Sequence, residues 1–163
     1  MLTKFDYTNA ETSTVYNFNN DVAPMSDLDI TVTQRTDRSR TKSQRHGIYA
    51  TFTYRGEMEI HIEGNLNADS AADFVTKRLA LAEALFGDPN DGTSGTHPTV
   101  RKNGSLAIRL DGQTEDFLCD VSIDAFSGPV SWDASAHGAY LVTFFSPDPW
   151  FVGASTSNKY YWS

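Results

Sequence analysis

Glu57, Glu59 and Glu63 recur at even spacing around His61 in one alternating stretch. In an extended chain, residues at that spacing project from one face. Carboxylates gathered this way suit general acid–base work, or a surface that repels anions. A solvated strand face is the more economical reading, and an acidic pore lining is preferred to catalysis. The four histidines, His46, His61, His97 and His137, are far apart, with no H-x-H or H-E-x-x-H spacing. Cys119 stands alone on an apolar alternation, which predicts an inert core residue and no intrachain disulfide. Ser127 and Ser131 have no paired base and no G-x-S-x-G elbow. The stretch "DPNDGTSGTH" at 88–97 lacks the carboxylate spacing and closing Glu of a calcium loop. It is no phosphate-binding loop either. The sequence predicts no enzyme, cofactor or metal.

The sharpest charge feature is basic. Arg35, Arg38, Arg40, Lys42 and Arg45 fall within eleven positions of a run with no apolar residue, which reads as a long hairpin loop at about 35–47. One reading seats this loop on an acidic surface of a neighbouring subunit, fixing orientation more than affinity. A solvated hairpin tip is the plain alternative. A nucleic-acid arm is the third, weakened by the lack of interleaved aromatics.

The elements that must hold these residues are mostly strands. One or two short strands fit the polar stretch 1–27, and Leu28 to Gln34 alternates as a half-buried strand. Ile48 to Glu63 is the strongest strand region, with a kink or bulge at Arg55-Gly56. A helix is predicted at about 70–86, capped by Ser70 with Asp73 three residues on, and closed by Gly87. Phe74, Val75, Leu79, Leu81, Ala82, Leu85 and Phe86 form its packed face, and Lys77, Arg78 and Glu83 its wet side. Strands follow around Leu106–Leu110, Phe117–Phe126 and Tyr140–Phe145. The fold class is therefore mainly β (α+β): a sandwich or half-barrel with one flanking helix.

Length and composition agree. The 163 residues fit one domain over 1–163, with a polar segment at 1–27, a core at 28–153 and an extension at 154–163. Aromatics at 12% argue against wholesale disorder. The net charge of −8 disfavours a dedicated nucleic-acid binder. No segment is apolar enough for a membrane helix, and Met1 to Ala10 has no apolar core of a signal peptide, so folding in a reducing cytoplasm is expected. Hydrophobic residues make up only 39%, a shortfall that neighbouring subunits could supply.

Three segments carry a family resemblance: "EMEIHIEGNL" at 57–66, "FVTKRLALAEALF" at 74–86 and "FFSPDPWFVG" at 144–153. In order and spacing they resemble the N-terminal domain of the distal tail (Dit) proteins of long-tailed siphophages, over about residues 28–153. Asp148, Pro149, Trp150 and Phe151 match that family's Asp-Pro-aromatic step. The resemblance implies a tail-tube-like β-sandwich with a flanking helix. It also implies a homo-oligomeric, hexameric ring at the virion tail tip, between tail tube and hub or baseplate proteins. DNA would pass through its lumen in transit, with no membrane partner. Assembly would occur in the host bacterial cytoplasm. Many relatives carry a second domain after the Asp-Pro-aromatic step. This sequence runs about ten residues past it, so receptor binding is not expected of this subunit. Tail tube and tail terminator proteins share the architecture and remain alternatives. From another class, a carbohydrate-binding sandwich would use Trp132, Trp150 and Trp162.

Overall fold

The computed structural model describes residues 2–10, 12–20, 24–36, 53–87, 104–128 and 137–160. Among the described residues, nine strands and one helix follow in chain order: β1 (Leu2–Thr8), β2 (Val15–Asn17), β3 (Met25–Thr36), β4 (Thr53–Asn67), α1 (Ala71–Phe86), β5 (Gly104–Leu110), β6 (Phe117–Ser127), β7 (His137–Ser146), β8 (Phe151–Gly153) and β9 (Lys159–Tyr160). All pairings are antiparallel, in the order β2-β1-β5-β6-β7-β4-β3, with β8 on β6 and β9 on β8. The mainly β fold with one helix expected from the sequence is the fold found.

Strand β6 turns the sheet back on itself. Its first half pairs with β5, and residues 122–127 pair with β7. A bulge between Ile123 and Ala125 marks the transition, where extra twist lets the strand bend. Tyr7 of β1 thereby meets Phe144 of β7 at 5.3 Å between ring centroids, although two strands separate them in the sheet. Phe18 lies between the layers, its ring 6.0 Å from Phe5, 5.9 Å from Tyr140 and 6.3 Å from Phe144. The polar stretch 1–27 thus supplies Phe5, Tyr7 and Phe18 to the centre of the core.

Two glycines allow close approach. A Cβ on Gly64 would strike the Tyr140 ring and lie 2.7 Å from the Pro24 carbonyl oxygen, and one on Gly104 would strike the Tyr7 ring. That packing lets β4 run on to Asn67, past the end at Glu63 that its Gly-Asn pair suggests. Residues 48–52 lie outside the described residues. The irregularity at Arg55-Gly56 is a bulge: Val32 faces Met58 and Gln34 faces Arg55.

Helix α1 begins one residue after Ser70, whose Oγ accepts from the Asp73 N–H at 3.2 Å. Asp73 accepts in turn from the Asp69 N–H at 3.0 Å, one residue upstream of the usual capping-box donor. Gly87, with φ of 80°, closes the helix and donates to the Glu83 carbonyl at 2.7 Å. Phe74, Leu81, Ala84 and Leu85 face the core. Val75 and Leu79, expected on that packed face, are instead exposed, because the helix turns them away from both sheet layers. Asn9 ties the far end down, donating from Nδ2 to the carbonyls of Ala84 and Leu85.

Candidate functional site

The register of β3 on β4 builds one acidic surface. Asp27 stands opposite Glu63, Asp29 opposite His61, and Thr31 opposite Glu59. Met58, Ile60 and Ile62 point the other way into the core and are fully buried. Glu59 and Glu63 are exposed, and Glu57 is half-buried beside the bulge. Strand β7 continues the face, with Thr143 opposite His61 and Leu141 opposite Glu63. His61 bridges the rows: Nδ1 lies 3.1 Å from the Thr143 hydroxyl and Nε2 lies 3.4 Å from Glu59. Like charges directly opposed across a sheet, as Asp27 and Glu63 are, destabilise it by about 0.2–1 kcal/mol. No lysine or arginine pairs with Asp27, Asp29, Glu59 or Glu63 among the described residues. The sequence placed the glutamates on one face. It did not join them to Asp27 and Asp29, although the polar alternation of residues 28–34 carried the signal.

The outer face of β1 and β5 is built differently. Asp116 accepts from Lys4 Nζ at 2.8 Å and Arg109 Nε at 2.7 Å, and Asp6 lies 3.4 Å from Lys4. Burial would raise the Asp116 carboxyl, but the two cations outweigh it and hold the group below its ordinary range. Lys4 is raised in turn, chiefly by the Asp116 hydrogen bond. Here the charges are paired.

Of the basic loop, Arg35 ends in β3 with its backbone opposite Tyr54. Arg38, Arg40, Lys42 and Arg45 lie outside the described residues. So do His46, the stretch 88–97 with His97, Ser131, Trp132 and Trp162. His137 is exposed, its Nδ1 3.1 Å from Asn67 Oδ1. Cys119 is buried in the core, and burial pushes its thiol up, away from the reactive thiolate. Among the described residues no group of three or more His, Cys, Asp or Glu side chains could hold a metal ion.

The Asp-Pro-aromatic step interrupts one sheet edge. Strands β7 and β8 lie along the same side of β6, where residues 119–121 stand against residues 146–151. Pro147, Asp148, Pro149 and Trp150 carry that excursion, since a proline cannot donate to the ladder. Pro149 and Phe151 are buried, Asp148 is exposed, and Lys159 Nζ sits 4.1 Å from the Trp150 ring centre. Glu115 secures the hairpin that follows. It accepts from the Ser155 hydroxyl at 2.6 Å and N–H at 3.1 Å, and from the Thr156 N–H at 3.3 Å. These bonds, the Ser155 hydroxyl first, hold its carboxyl below the ordinary glutamate value. No local pattern signals this clamp, because its partners lie forty residues downstream.

No family model and no curated protein matches the sequence. Solved structures do match. The baseplate of phage p2 in its activated conformation with strontium aligns with a TM-score of 0.56 and 8% identity, over 86% of this chain and 43% of that one. The SPP1 Dit protein (gp 19.1), from the hub adsorption apparatus of a phage infecting Gram-positive hosts, aligns with a TM-score of 0.53 and 12% identity, over 91% of this chain and 52% of that one. The chain spans about half the length of the proteins it matches. At that identity the likeness speaks for architecture, and the architecture is the Dit-like distal tail fold.

Proposed function

We propose that this chain is a structural, non-enzymatic subunit of a long-tailed phage tail tip. It acts as a distal tail protein that closes into a hexameric ring, continues the DNA channel, and joins the tail tube to the hub or baseplate. What carries this reading is the Dit-like fold over 86% and 91% of the chain in the two alignments. The acidic face supports it. A lumen lined by Asp27, Asp29, Glu59 and Glu63 repels phosphate and lets DNA slide without adhering. Glu57 belongs to the same lining. Arg35, Arg38, Arg40, Lys42 and Arg45 then contact the adjacent subunit or ring, where the opposite charge lies. A ring also covers the outward edge of β3, the long final strand of the sheet order. The subunit works as one domain, is assembled in the host cytoplasm and resides in the virion.

The carbohydrate-binding alternative needs an open aromatic platform. Trp150, the one tryptophan among the described residues, is half-buried beneath Lys159.

Electron microscopy of the purified protein tests the reading, with gold-labelled antibody on virions as its companion. A six-fold ring and a single label site at the tail tip are expected. A monomer at virion-like local concentration would overturn it. Label along the whole tail would favour the tube protein.

A further inference from the structure

Helix α1 presents a second apolar stripe, turned away from the core. Phe74, Leu81 and Leu85 are buried, whereas Val75 and Leu79 are each 56% exposed and Phe86 is 36% exposed. Leu79 and Leu81 are two residues, about 200°, apart, so the exposed stripe faces away from the buried one. Ala72, Val75, Leu79, Ala82 and Phe86 follow one another at steps of three, four, three and four. That is the a/d seam of a heptad pattern, and it runs nearly the whole length of the helix. Phe86 packs edge-on to Phe126 with ring centroids 5.4 Å apart, which holds the last position of the seam in place.

The charges of the helix divide in two. Asp73 and Lys77 answer one another at 2.7 Å within the chain. Arg78 and Glu83 are exposed, and neither side chain has an ion-pair partner among the described residues. With Leu79 at position a, Arg78 falls at g and Glu83 at the following e, one on each flank of the seam. Two further flank positions are uncharged: Ala71 at g, and Thr76 at e, whose hydroxyl donates to the Ala72 carbonyl at 3.1 Å. The step from g to the next e is the one across which charges pair between two parallel helices.

We infer that α1 is a docking surface for α1 of a second copy, with the two helices parallel and their seams face to face. Val75 and Leu79 are then covered by their own counterparts, and Arg78 of each copy meets Glu83 of the other. The charge pattern selects this occupant and this direction. In an antiparallel pair the Arg78 flank would lie against its own counterpart, and so would the Glu83 flank. Alanine at 72 and 82 lets the helix axes approach, and the core contacts of each helix lie on the side away from the seam. The helix is already folded on its sheets, so pairing orders little new chain. A parallel pair of identical helices is a two-fold, isologous contact, whereas a ring closes through a heterologous one. The inference is therefore independent of the ring proposed above.

The test uses the full chain, with cysteine cross-linking and sedimentation as readouts. Val75→Cys and Ala82→Cys both fall at d, so each is expected to form a same-residue disulfide between copies under mild oxidation. The native Cys119 is buried. An antiparallel pair brings like residues together only at its centre and cannot give both cross-links. Leu79→Glu, added to either, is expected to abolish the cross-link, because it places two carboxylates in the seam. Arg78→Glu and Glu83→Arg each set like charges across the pair, and each is expected to self-associate at least about ten-fold more weakly than the wild type. Mixed one to one, these two variants restore opposite charges at both crossings and are expected to associate at wild-type strength or above. Unchanged urea midpoints establish that the variants are folded. If neither cysteine cross-links, the inference is overturned and the seam belongs to a helix of another protein. A cross-link at one position alone overturns the parallel pairing. A Leu79→Glu chain that cross-links as before overturns the inference, as does a mixture of charge variants no stronger than its components. Each of these results leaves the ring proposal standing, since electron microscopy tests that separately.

Discussion

Replacing Asn9 with alanine is expected to cost about 2–4 kcal/mol of folding stability. Asn9 is only 5% exposed, and its Nδ2 donates at 3.2 Å to the carbonyls of both Ala84 and Leu85. Those carbonyls belong to the last turn of α1, where no intrahelical donor is available. Its Oδ1 accepts from the Thr12 N–H at 3.2 Å, so one side chain orders the β1–β2 turn and ends the helix. A buried acceptor left without a donor costs roughly 1–3 kcal/mol, and two such acceptors, partly rescued by water at the opened end, give the range above. With a urea slope of about 2–3 kcal/mol per molar, the midpoint falls by about 1–2 M. Urea unfolding followed by circular dichroism measures it. Asn9→Asp sharpens the test. It swaps two donors for a charge aimed at carbonyls, at the negative end of the helix dipole. It should therefore destabilise more than alanine at neutral pH. The pKa of the introduced carboxyl is raised by folding, so its penalty is absent below the ordinary aspartate value of about 3.9 and grows as pH rises through the raised one. An alanine variant within about 0.5 kcal/mol of wild type would refute the reasoning. So would an aspartate variant that tracks alanine at every pH.

Phe18→Ala should destabilise the protein by about 3–5 kcal/mol in the same urea assay, since its ring sits fully buried against four others, those of Phe5, Tyr16, Tyr140 and Phe144. A loss below 1 kcal/mol would mean that the N-terminal stretch is not part of the core. Glu115 has a lowered folded-state pKa, so its clamp on Ser155 and Thr156 is complete above the ordinary glutamate range. It is lost as pH falls through the lowered value. Amide exchange at residues 155–156 should accelerate in acid, and in Glu115→Gln at neutral pH, while exchange in the core strands stays unchanged. Replacing Asp27, Asp29, Glu59 and Glu63 with Lys adds two charges at each site, taking the chain from −8 to neutral. Fluorescence anisotropy should then detect DNA binding absent in the wild type, with a log–log salt slope approaching about −3 to −4. A reversed face that still ignores DNA would argue against a lumen role.

How much of this was legible beforehand depended on the range of the signal. The α1 caps, the bulge at Gly56 and the alternation of Met58, Ile60 and Ile62 are local, and each was readable. Strands β8 and β9 were not, because the Pro147–Trp150 excursion hides that the chain rejoins the edge of β6. Strand β1 was read only vaguely, since its outward residues are polar and its pairing partner β5 lies about a hundred positions away. Val75 and Leu79 were misplaced for a physical reason. Periodicity shows that a helix has an apolar stripe, but two adjacent stripes read as one broad face. Only the position of the sheet layers tells which stripe is covered.

The same distinction bears on the charge. A surplus of acid spread for solubility would be interspersed with lysine and arginine. Here the two outer faces divide the work. Around Asp116, two cations answer two carboxylates, and that network contributes little to the field at a distance. On β3 and β4 Asp27 opposes Glu63 across the ladder, His61 lies beside Glu59, and no lysine or arginine pairs with Asp27, Asp29, Glu59 or Glu63 among the described residues. A local electrostatic strain of this kind is tolerated in one molecule, and in the proposed hexameric ring it would be multiplied, because six such faces would turn toward one axis. In that ring the carboxylates of neighbouring subunits would be held apart by its radius, and adhesion between subunits would have to come from another surface. On α1, by contrast, the exposed side chains of Val75 and Leu79 are apolar. Repulsion on one surface and apolar exposure on another is the division that the proposed channel-forming subunit would require.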